Sequence, residues 1–374
     1  MPRATLGQTH RIVIKLGSAV MTLPGGGGLD RETLDALTEE VAGLHRAGVE
    51  VTVVSSGAVA LGMQELGLPR KPATIAQRQA LAALGQAQLM RAWRESLGRF
   101  GVPVAQVLLT HADLANRTRY LNARHAFGAI HGFHAVPVVN ENDTVAVDEI
   151  RFGDNDALSA QVANLVDADL LIMLTVDLGL YDRDPRAHAD ARLVSLVDRV
   201  GPDVLRMAGS GVSSVGTGGM ATKVQAARAA AHQGIPAVIA SGKQRGIVGD
   251  ILAGVDVGTL FLPSQDRLGA RKHWIGYTLK AQGRLVVDHG AERAVRENGK
   301  SLLPSGIVGV EGDFEPGALV EVCSLEREVF ARGLSAYGAV EVRAIQGCRT
   351  DQIEARLGYR TVDEVIHRDD LVVV

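Results

Sequence analysis

Two lysines lie beside glycines where a strand is expected to end or a helix to begin. Lys15 belongs to Lys15-Leu16-Gly17-Ser18, and Lys223 closes Thr217-Gly218-Gly219-Met220-Ala221-Thr222-Lys223. Glycines let the backbone approach a ligand, and a helix start offers unpaired N–H groups and a partial positive charge, which suit a phosphate. A lysine in each place could balance the charge of a phosphoryl group during transfer. Either motif alone is equally typical of a surface lysine beside ordinary turn glycines.

A second group of residues is suited to binding an amino acid. Asn140-Glu141-Asn142-Asp143-Thr144 is followed closely by Phe152-Gly153-Asp154-Asn155-Asp156. Burying so many carboxamides and carboxylates near one strand end would be costly without a purpose, and a zwitterion's ammonium group would satisfy them. Ser55-Ser56-Gly57-Ala58 follows another strand, and its small residues would admit a carboxylate. The alternatives are an Asx-rich loop capping a helix near Asp156 and a plain strand-to-helix turn.

Two common cofactor signatures are absent from the sequence. There is no G-x-x-x-x-G-K-[ST] loop, and no G-x-G-x-x-G follows the first expected strand, which argues against a P-loop enzyme and a dinucleotide fold. Cys323 and Cys348 lie in no C-x-x-C pair, and no cluster has metal-ligand spacing, so no protein-held metal is predicted. The histidines are scattered, and none is assigned a role.

These residues require a scaffold in which several strand ends meet. Through about residue 260, β-branched apolar runs alternate with Ala- and Leu-rich segments of helical spacing. Strands are predicted at residues 12–14, 51–54, 102–109, 136–139, 170–174 and 237–239, and helices at 30–46, 75–97, 120–131, 157–166 and 221–233. Apolar strands alternating with helices predict an α/β fold, a three-layer αβα sandwich with a mainly parallel open sheet. Ligands of such sheets bind beyond the carboxyl ends of the strands.

The 374 residues are too many for one ordinary core, and the pattern changes near residue 265. We therefore predict a catalytic domain at 1–265, a linker at 266–281 and a small β-rich domain at 282–374. In the last, short alternating runs predict strands at 284–288, 306–310, 318–323, 329–333 and 339–344.

The composition is that of a soluble globular protein, with 46% hydrophobic and 22% charged residues and a net charge of −3. The first residues lack an apolar signal core, and the most apolar stretch, Leu170 to Val176, is far too short to span a membrane. These features predict a cytoplasmic protein with no membrane partner. Residues 275–374 carry 16 acidic and 12 basic side chains, which argues against an RNA partner.

The motifs taken in order carry more information than any one of them. VIKLGS, VVSSGAVALG, VVNENDTVA, FGDNDALSA, LTVDLGLYDRDPR and GTGGMATK resemble the amino-acid kinase family, and within it the enzymes that phosphorylate free glutamate. The resemblance extends from about residue 10 to 262, and the NEND and FGDND pair is its specific part. SLLPSGI and the closing GYR…HRDD resemble the PUA domain that many of these enzymes carry.

The resemblance implies a role for each residue that matches a motif. It implies catalytic roles for Lys15 and Lys223 on the phosphates, with Asp156 between the two lysines. It implies glutamate binding by Ser56, Asp143 and Asn155. Nucleotide contacts are implied for Lys15, Thr175, Val176, Thr217, Gly218, Gly219, Met220, Ala221, Thr222 and Lys223, with Leu180 to Pro185 on the adenine side. Relatives often have Asp where this chain has Val176, so we expect a backbone role there.

The implied reaction is ATP-dependent phosphorylation of the γ-carboxylate of L-glutamate to L-glutamyl 5-phosphate, the first step of proline biosynthesis, with ATP and Mg²⁺. A carboxylate is already ionised at pH 7, so this reaction needs positioning and charge neutralisation but no general base. The resemblance further implies feedback inhibition by proline at the loop from Asn140 to Asn155. The product is destroyed by water, which favours direct transfer to glutamate-5-semialdehyde dehydrogenase. The apolar helices favour a homo-oligomer.

Two alternatives remain open from the sequence. One is an enzyme of the same fold acting on another small acid, such as aspartate or N-acetylglutamate. The other is an RNA-binding protein that acts through its PUA-like domain.

Overall fold

The computed structural model describes residues 3–23, 28–70, 72–146, 154–209, 219–263 and 281–373. The chain divides into two compact units, one comprising Met1–Leu114 and Ala123–Gln265, the other Ala115–Asn122 and Asp266–Val374. All but the last residue of the predicted linker at 266–281 lies outside the described residues.

The part of the chain from Arg11 to Phe261 forms an eight-stranded sheet with helices between the strands. Its strands are β1 (Arg11–Leu16), β2 (Glu50–Ser55), β3 (Val104–Leu109), β4 (Val136–Glu141), β5 (Leu170–Thr175), β6 (Leu196–Val197), β7 (Ala237–Ser241) and β8 (Thr259–Phe261). Its helices are α1 (Ser18–Met21), α2 (Arg31–Arg46), α3 (Ala58–Glu65), α4 (Ile75–Gly98), α5 (His111–Ala115), α6 (Arg117–Gly132), α7 (Asp154–Leu165), α8 (Pro202–Met207), α9 (Met220–His232) and α10 (Ile247–Leu252).

The strand order is β3-β4-β2-β1-β5-β7-β8-β6. The first six of these strands pair in parallel, while β8 pairs antiparallel to β7 and parallel to β6. The predicted mainly parallel sheet is therefore confirmed, and every strand and helix predicted before residue 260 is present. The sequence did not reveal β6 and β8, because two or three residues are too few to set up a periodic pattern.

The two faces of the sheet are covered by different helices, because side chains of a strand alternate between faces. Ile12, Ile14 and Leu16 of β1 join one core with residues of α2, α4 and α10. Val13 is equally buried but lies outside that core. Helix α7 packs on β1 and β5, and α9 packs on β5 and β7. Lys15 shares the face of Val13, so its side chain is directed to the α7 and α9 side.

Helices α3 and α4 approach each other closely at two glycines. A Cβ added at Gly85 would lie 1.8 Å from the carbonyl oxygen of Ala58, and one at Gly62 would lie 2.0 Å from that of Leu81. A side chain at either position would push the backbones apart. The glycines therefore fix α4 against α3, the helix that follows β2.

The C-terminal residues form a five-stranded sheet in the order β10-β9-β11-β12-β13. Its strands are β9 (Gly283–Val287), β10 (Ile307–Gly312), β11 (Leu319–Cys323), β12 (Val329–Leu334) and β13 (Leu371–Val373), and its helices are α11 (His289–Arg296), α12 (Ala339–Ile345) and α13 (Ile353–Leu357). A separate hydrophobic core lies here, with Phe314, Phe330 and Tyr337 among its largest members. A small β-rich domain was predicted, and it is present.

One predicted strand is wrong. Residues 339–344 form helix α12, although Val340 and Val342 alternate with polar residues. The buried residues are Ala339, Val342 and Ile345, which are three apart and share a helix face. The backbone N–H of Gly338 also donates to Glu341 Oε2 at 2.6 Å, which satisfies a group at the helix start. Helical packing therefore outweighs the strand-like alternation.

Candidate active site

A buried cluster of charged side chains lies at the carboxyl end of β1. Lys15 comes from β1, Asp156 from the first turn of α7 and Lys223 from the first turn of α9. Their relative exposures are 4%, 1% and 6%. Lys15 Nζ donates to Asp156 Oδ1 at 2.5 Å, and Lys223 Nζ donates to Asp156 Oδ2 at 3.2 Å. The fold thus brings together two amines that are about two hundred residues apart in sequence.

The cluster carries one more positive than negative charge. Burial lowers the pKa of Lys15, although Asp156 opposes this shift; nearby Lys223 lowers that pKa further. Burial alone would raise the pKa of Asp156, but the charges of Lys15 and Lys223 outweigh it and hold this pKa below its usual range. Asp156 is therefore ionised at neutral pH, and the excess positive charge suits an anion.

The N-terminus of α9 adds backbone donors to the cluster. Gly219 precedes the helix without a side-chain cap, and Met220, Ala221, Thr222 and Lys223 form its first turn. The first N–H groups of a helix have no partner within the helix, which suits a phosphate oxygen. Thr217 and Gly218, also predicted to contact nucleotide, lie outside the described residues.

The Thr222 side chain joins this helix start to the charged cluster. Its hydroxyl lies 2.6 Å from Asp156 Oδ2 and 2.8 Å from the carbonyl oxygen of Gly219. Thr222 was predicted only as a nucleotide contact, and no sequence signal linked its hydroxyl to Asp156. The link depends on how α7 and α9 pack together.

Polar side chains from the ends of β2 and β4 and from the start of α7 meet next to Asp156. Asn155 Nδ2 donates to Ser56 Oγ at 2.8 Å and to Asn140 Oδ1 at 2.9 Å. These three residues are called the polar group below. The polar group adjoins the lysine cluster, because Asn155 immediately precedes Asp156. The turn after β2 favours a glycine at position 57, because Gly57 adopts φ 116°, a left-handed conformation that glycine tolerates well. This arrangement places amide and hydroxyl groups beside the proposed phosphate site.

Asp143 lies in the turn that follows β4 and is half-buried. The backbone N–H groups of Val145 and Ala146 both donate to the carbonyl oxygen of Asn142, which closes this turn. Residues 147–153, between this turn and α7, lie outside the described residues. Asp143 therefore lies just beyond the end of β4, the strand that contains Asn140, at the same edge of the sheet.

The segment after β5 contains the remaining predicted nucleotide contacts. Thr175 is buried, and its carbonyl oxygen accepts from the N–H of Gly242 at 2.8 Å. Val176 is 44% exposed. Leu180 is fully buried, and its backbone N–H donates to the hydroxyl oxygen of Thr259 at 2.8 Å, while Tyr181 pairs with Leu193. The strand ends of β1 and β5 are adjacent, so this segment is on the lysine side of the sheet edge.

Sequence reasoning missed the side chains that support the polar group. Asn140 Nδ2 donates to Gln86 Oε1 of α4 at 2.8 Å, and Trp93 Nε1 of the same helix donates to Ser55 Oγ at 3.0 Å. The seven-residue interval between Gln86 and Trp93 is a visible signal of a shared helix face. A lone glutamine in a helix gives no indication of its partner, however.

Two family models match the chain. The model described as the amino acid kinase family matches residues 10–241, and the PUA domain model matches residues 283–357. Together these matches include every described residue of the lysine cluster and of the polar group.

Similar proteins match over the full length of the chain. Proteins named glutamate 5-kinase from Pelobacter propionicus and Geobacter metallireducens are each 51% identical over 374 residues, covering 100% of both chains. The glutamate 5-kinase of Trichlorobacter lovleyi is 50% identical and is covered to 99% of its length.

Proposed function

Because this chain belongs to the amino acid kinase family, we propose that it transfers the γ-phosphoryl group of ATP to the γ-carboxylate of L-glutamate. The product is L-glutamyl 5-phosphate, the first intermediate of proline biosynthesis. The observation that carries the proposal is the convergence of Lys15 and Lys223 on Asp156, next to the polar group of Ser56, Asn140 and Asn155. Full-length relatives that carry the name glutamate 5-kinase support the choice of glutamate.

The lysines stabilise charge on the transferring group. In this proposal Lys15 contacts the ATP phosphates, and Lys223 neutralises the phosphoryl group as it moves. Asp156 keeps both amines in place, because each of its oxygens accepts from a different lysine. The N–H groups from Gly219 to Thr222 bind phosphate oxygens at the start of α9, with Thr217 and Gly218 extending that contact. Such preorganised charge is the main catalytic device available to phosphoryl transfer.

The amino acid is held on the opposite side of Asp156. We assign its binding to Ser56, Asp143 and Asn155, with Asp143 paired to the ammonium group. The attacking carboxylate is ionised at neutral pH, so no side chain has to remove a proton. Thr175 and Val176 contact the nucleotide after β5, and Val176 does so through its backbone, because its side chain has no hydrogen-bonding group.

The residues of the lysine cluster do not suit a divalent cation. Both carboxylate oxygens of Asp156 already accept hydrogen bonds, one from Lys15 and the other from Lys223 and Thr222. Two ammonium groups at this position would repel a cation. We therefore propose that Mg²⁺ enters with the phosphates of ATP, to which it is commonly bound.

Further parts of the proposal concern organisation and regulation. We assign catalysis to residues 1–265 and a PUA-like domain to 282–374, with a linker at 266–281. Proline is proposed to inhibit by competing with glutamate at the loop from Asn140 to Asn155. The labile product favours direct transfer to glutamate-5-semialdehyde dehydrogenase within the cytoplasm, and a homo-oligomer is expected. None of the described helices is long and apolar enough to cross a membrane.

Substrate choice is tested by ADP release with glutamate, aspartate, N-acetylglutamate, carbamate and UMP as acceptors. Glutamate should give the highest kcat/KM, and hydroxylamine should trap its acyl phosphate as a hydroxamate. Equal or higher activity with any other acceptor would reject glutamate as the substrate.

Lys223→Ala should lower kcat by about 10²–10³-fold with the fold intact, because it removes stabilisation of transition-state charge. A Lys223→Ala enzyme within tenfold of the wild-type kcat would exclude this lysine from catalysis.

A further inference from the structure

Helix α4 presents a row of hydrogen-bonding side chains to the edge of the amino-acid site. Gln79, Gln86 and Trp93 are seven residues apart and therefore lie on one face of the helix. Gln79 Nε2 donates to the carbonyl oxygen of Ala146 at 3.0 Å. Gln86 Oε1 accepts from Asn140, and Trp93 Nε1 donates to Ser55 Oγ. One helix thus contacts the carboxyl ends of β2 and β4 and the turn that follows β4.

The direction of the amide hydrogen bonds is dictated by the backbone. The N–H of Glu141 donates to Asn140 Oδ1 at 2.9 Å, and a backbone N–H is always a donor. Asn140 must therefore direct its NH₂ group to Gln86, which must accept through Oε1. Asn140 Oδ1 also receives Asn155, so Asn155 must direct its NH₂ group to Asn140. Gln86, Asn140 and Asn155 thus form a chain of hydrogen-bonded amides, called the relay below. Each amide of the relay has one defined orientation.

Among the described residues, this orientation leaves one acceptor, Asn155 Oδ1, and one donor, Gln86 Nε2, without a partner. Within the described part of the chain, Asn155 Oδ1 is buried and receives no hydrogen bond. A buried acceptor without a donor is costly, so a ligand that supplies one is favoured. A carbonyl oxygen accepts from an ammonium group and repels a carboxylate. The relay therefore fixes the atom of Asn155 that selects for an ammonium group.

We propose that Gln86 is a positioning residue for the amino-acid substrate, acting through Asn140 to hold the Asn155 carbonyl oxygen towards the substrate ammonium group. The inference rests on the proposed function, in which Asn155 binds glutamate. Without the Gln86 oxygen, the NH₂ group of Asn140 loses its acceptor and the relay loses its anchor on α4. The Glu141 N–H still orients the Asn140 amide, but Asn140 and Asn155 are no longer held in place from α4, so the Asn155 carbonyl oxygen is displaced from the substrate ammonium group.

The test compares glutamate with glutarate, which has the same two carboxylates and no ammonium group. Gln86→Met has a similar length and no hydrogen-bonding amide. Gln88→Met is the matched control, because Gln88 lies on the same helix and donates to Glu65 Oε2 of α3 at 2.7 Å. The measurements are KM for glutamate, KM for ATP and the competitive inhibition constant of glutarate, with the thermal midpoint of each variant.

Gln86→Met should raise KM for glutamate about tenfold, the effect of one lost hydrogen bond to a charged group. The inhibition constant of glutarate and KM for ATP should change less than threefold, and Gln88→Met should match the wild type. A general weakening of the fold would weaken the binding of glutamate and of glutarate to a similar extent. A parallel rise of KM for glutamate and the glutarate constant would therefore overturn the proposal.

Two further variants keep the result decisive if Gln86→Met folds poorly. Gln86→Glu retains an oxygen acceptor for Asn140, and its added negative charge disfavours the doubly charged glutarate more than glutamate. Its preference for glutamate over glutarate should equal or exceed that of the wild type, so a lowered preference contradicts the relay. Combining Gln86→Met with Asn155→Ala should weaken glutamate binding no more than Asn155→Ala alone. Additive effects would place Gln86 outside the relay.

These outcomes separate the inference from the proposed function. If wild-type enzyme fails to phosphorylate glutamate, the proposed function is wrong. If the wild-type enzyme is active and Gln86→Met favours glutamate over glutarate as strongly as Gln88→Met does, only the role of Gln86 is wrong.

Discussion

Replacing Asp156 with asparagine removes the one negative charge of the lysine cluster while keeping the shape of the side chain. In the native protein its two oxygens accept from Lys15 at 2.5 Å and from Lys223 at 3.2 Å, and all three side chains are buried. Asp156→Asn leaves two buried ammonium groups facing a neutral amide. The substitution should therefore affect stability and catalysis together.

The size of the effect follows from the balance between attraction and desolvation. Each pair gains about 4 kcal/mol at charge separations near 4 Å and an effective dielectric constant near 20. Burial of each ion costs several kcal/mol, so the intact cluster contributes little net stability. Removing the carboxylate leaves those burial costs without attraction, and about 3–5 kcal/mol of stability should be lost. The kcat should fall about 10²–10³-fold, because the amines lose their fixed positions.

The assay combines urea unfolding at pH 7 with pH profiles of kcat. The double variant Lys15→Met/Asp156→Asn should regain part of the lost stability, since one stranded charge is gone, but none of the activity. Asp190→Asn is the control, because Asp190 pairs with Arg183 at 3.3 Å on the surface, where such pairs contribute about 0–1 kcal/mol. If Asp156→Asn unfolds at the same urea concentration as Asp190→Asn, the cluster is not held as described.

The pH dependence has a defined sign for each group. The pKa of Asp156 lies below its ordinary value of 3.8, so its contribution to stability is present above that value and is lost as pH falls through the native pKa. Asp156→Asn should lack this acid-sensitive component. Burial places the pKa of Lys15 below its ordinary value of 10.5, and Asp156 opposes that shift. Asp156→Asn should therefore lower the pKa of Lys15 further and move any alkaline loss of activity to lower pH.

Three further substitutions test other parts of the site. Asp143→Ala should mainly raise KM for glutamate. A change confined to KM for ATP would show that the loop carrying Asp143 binds the nucleotide instead. Gly85→Ala should cost about 3 kcal/mol by overpacking against α3, whereas Gly98→Ala on the same helix meets nothing within 4 Å and should be neutral or slightly stabilising in thermal unfolding. Thr222→Val should lower kcat about tenfold by removing the hydrogen bond to Asp156, and Thr222→Ser should restore it; equal rates for the two variants would exclude the hydroxyl.

Much of the fold could be predicted because strands and helices leave periodic signals. The apolar runs at Ile12 and Leu170 predicted buried parallel strands, and the structure has them side by side as β1 and β5. Local patterns failed where tertiary packing decided the outcome. Residues 339–344 alternate like a strand but pack as a helix through Ala339, Val342 and Ile345. Strands β6 and β8 are too short for any period to be visible.

The candidate site could likewise be predicted from the sequence only in part. Lys15 and Lys223 could be selected from the sequence, since each lies beside glycines at the end of an element where a phosphate can be bound. Parallel strands end at one edge, so the sequence also predicted that these segments would meet there. The family resemblance also implied that Asp156 lies between the two lysines, and the structure has the three side chains in contact. No local pattern indicated that each lysine takes a different oxygen of Asp156, or that Asn140 donates to Gln86. Those contacts depend on how α4, α7 and α9 pack on the sheet, and hydrogen-bond partners distant in sequence have no local pattern.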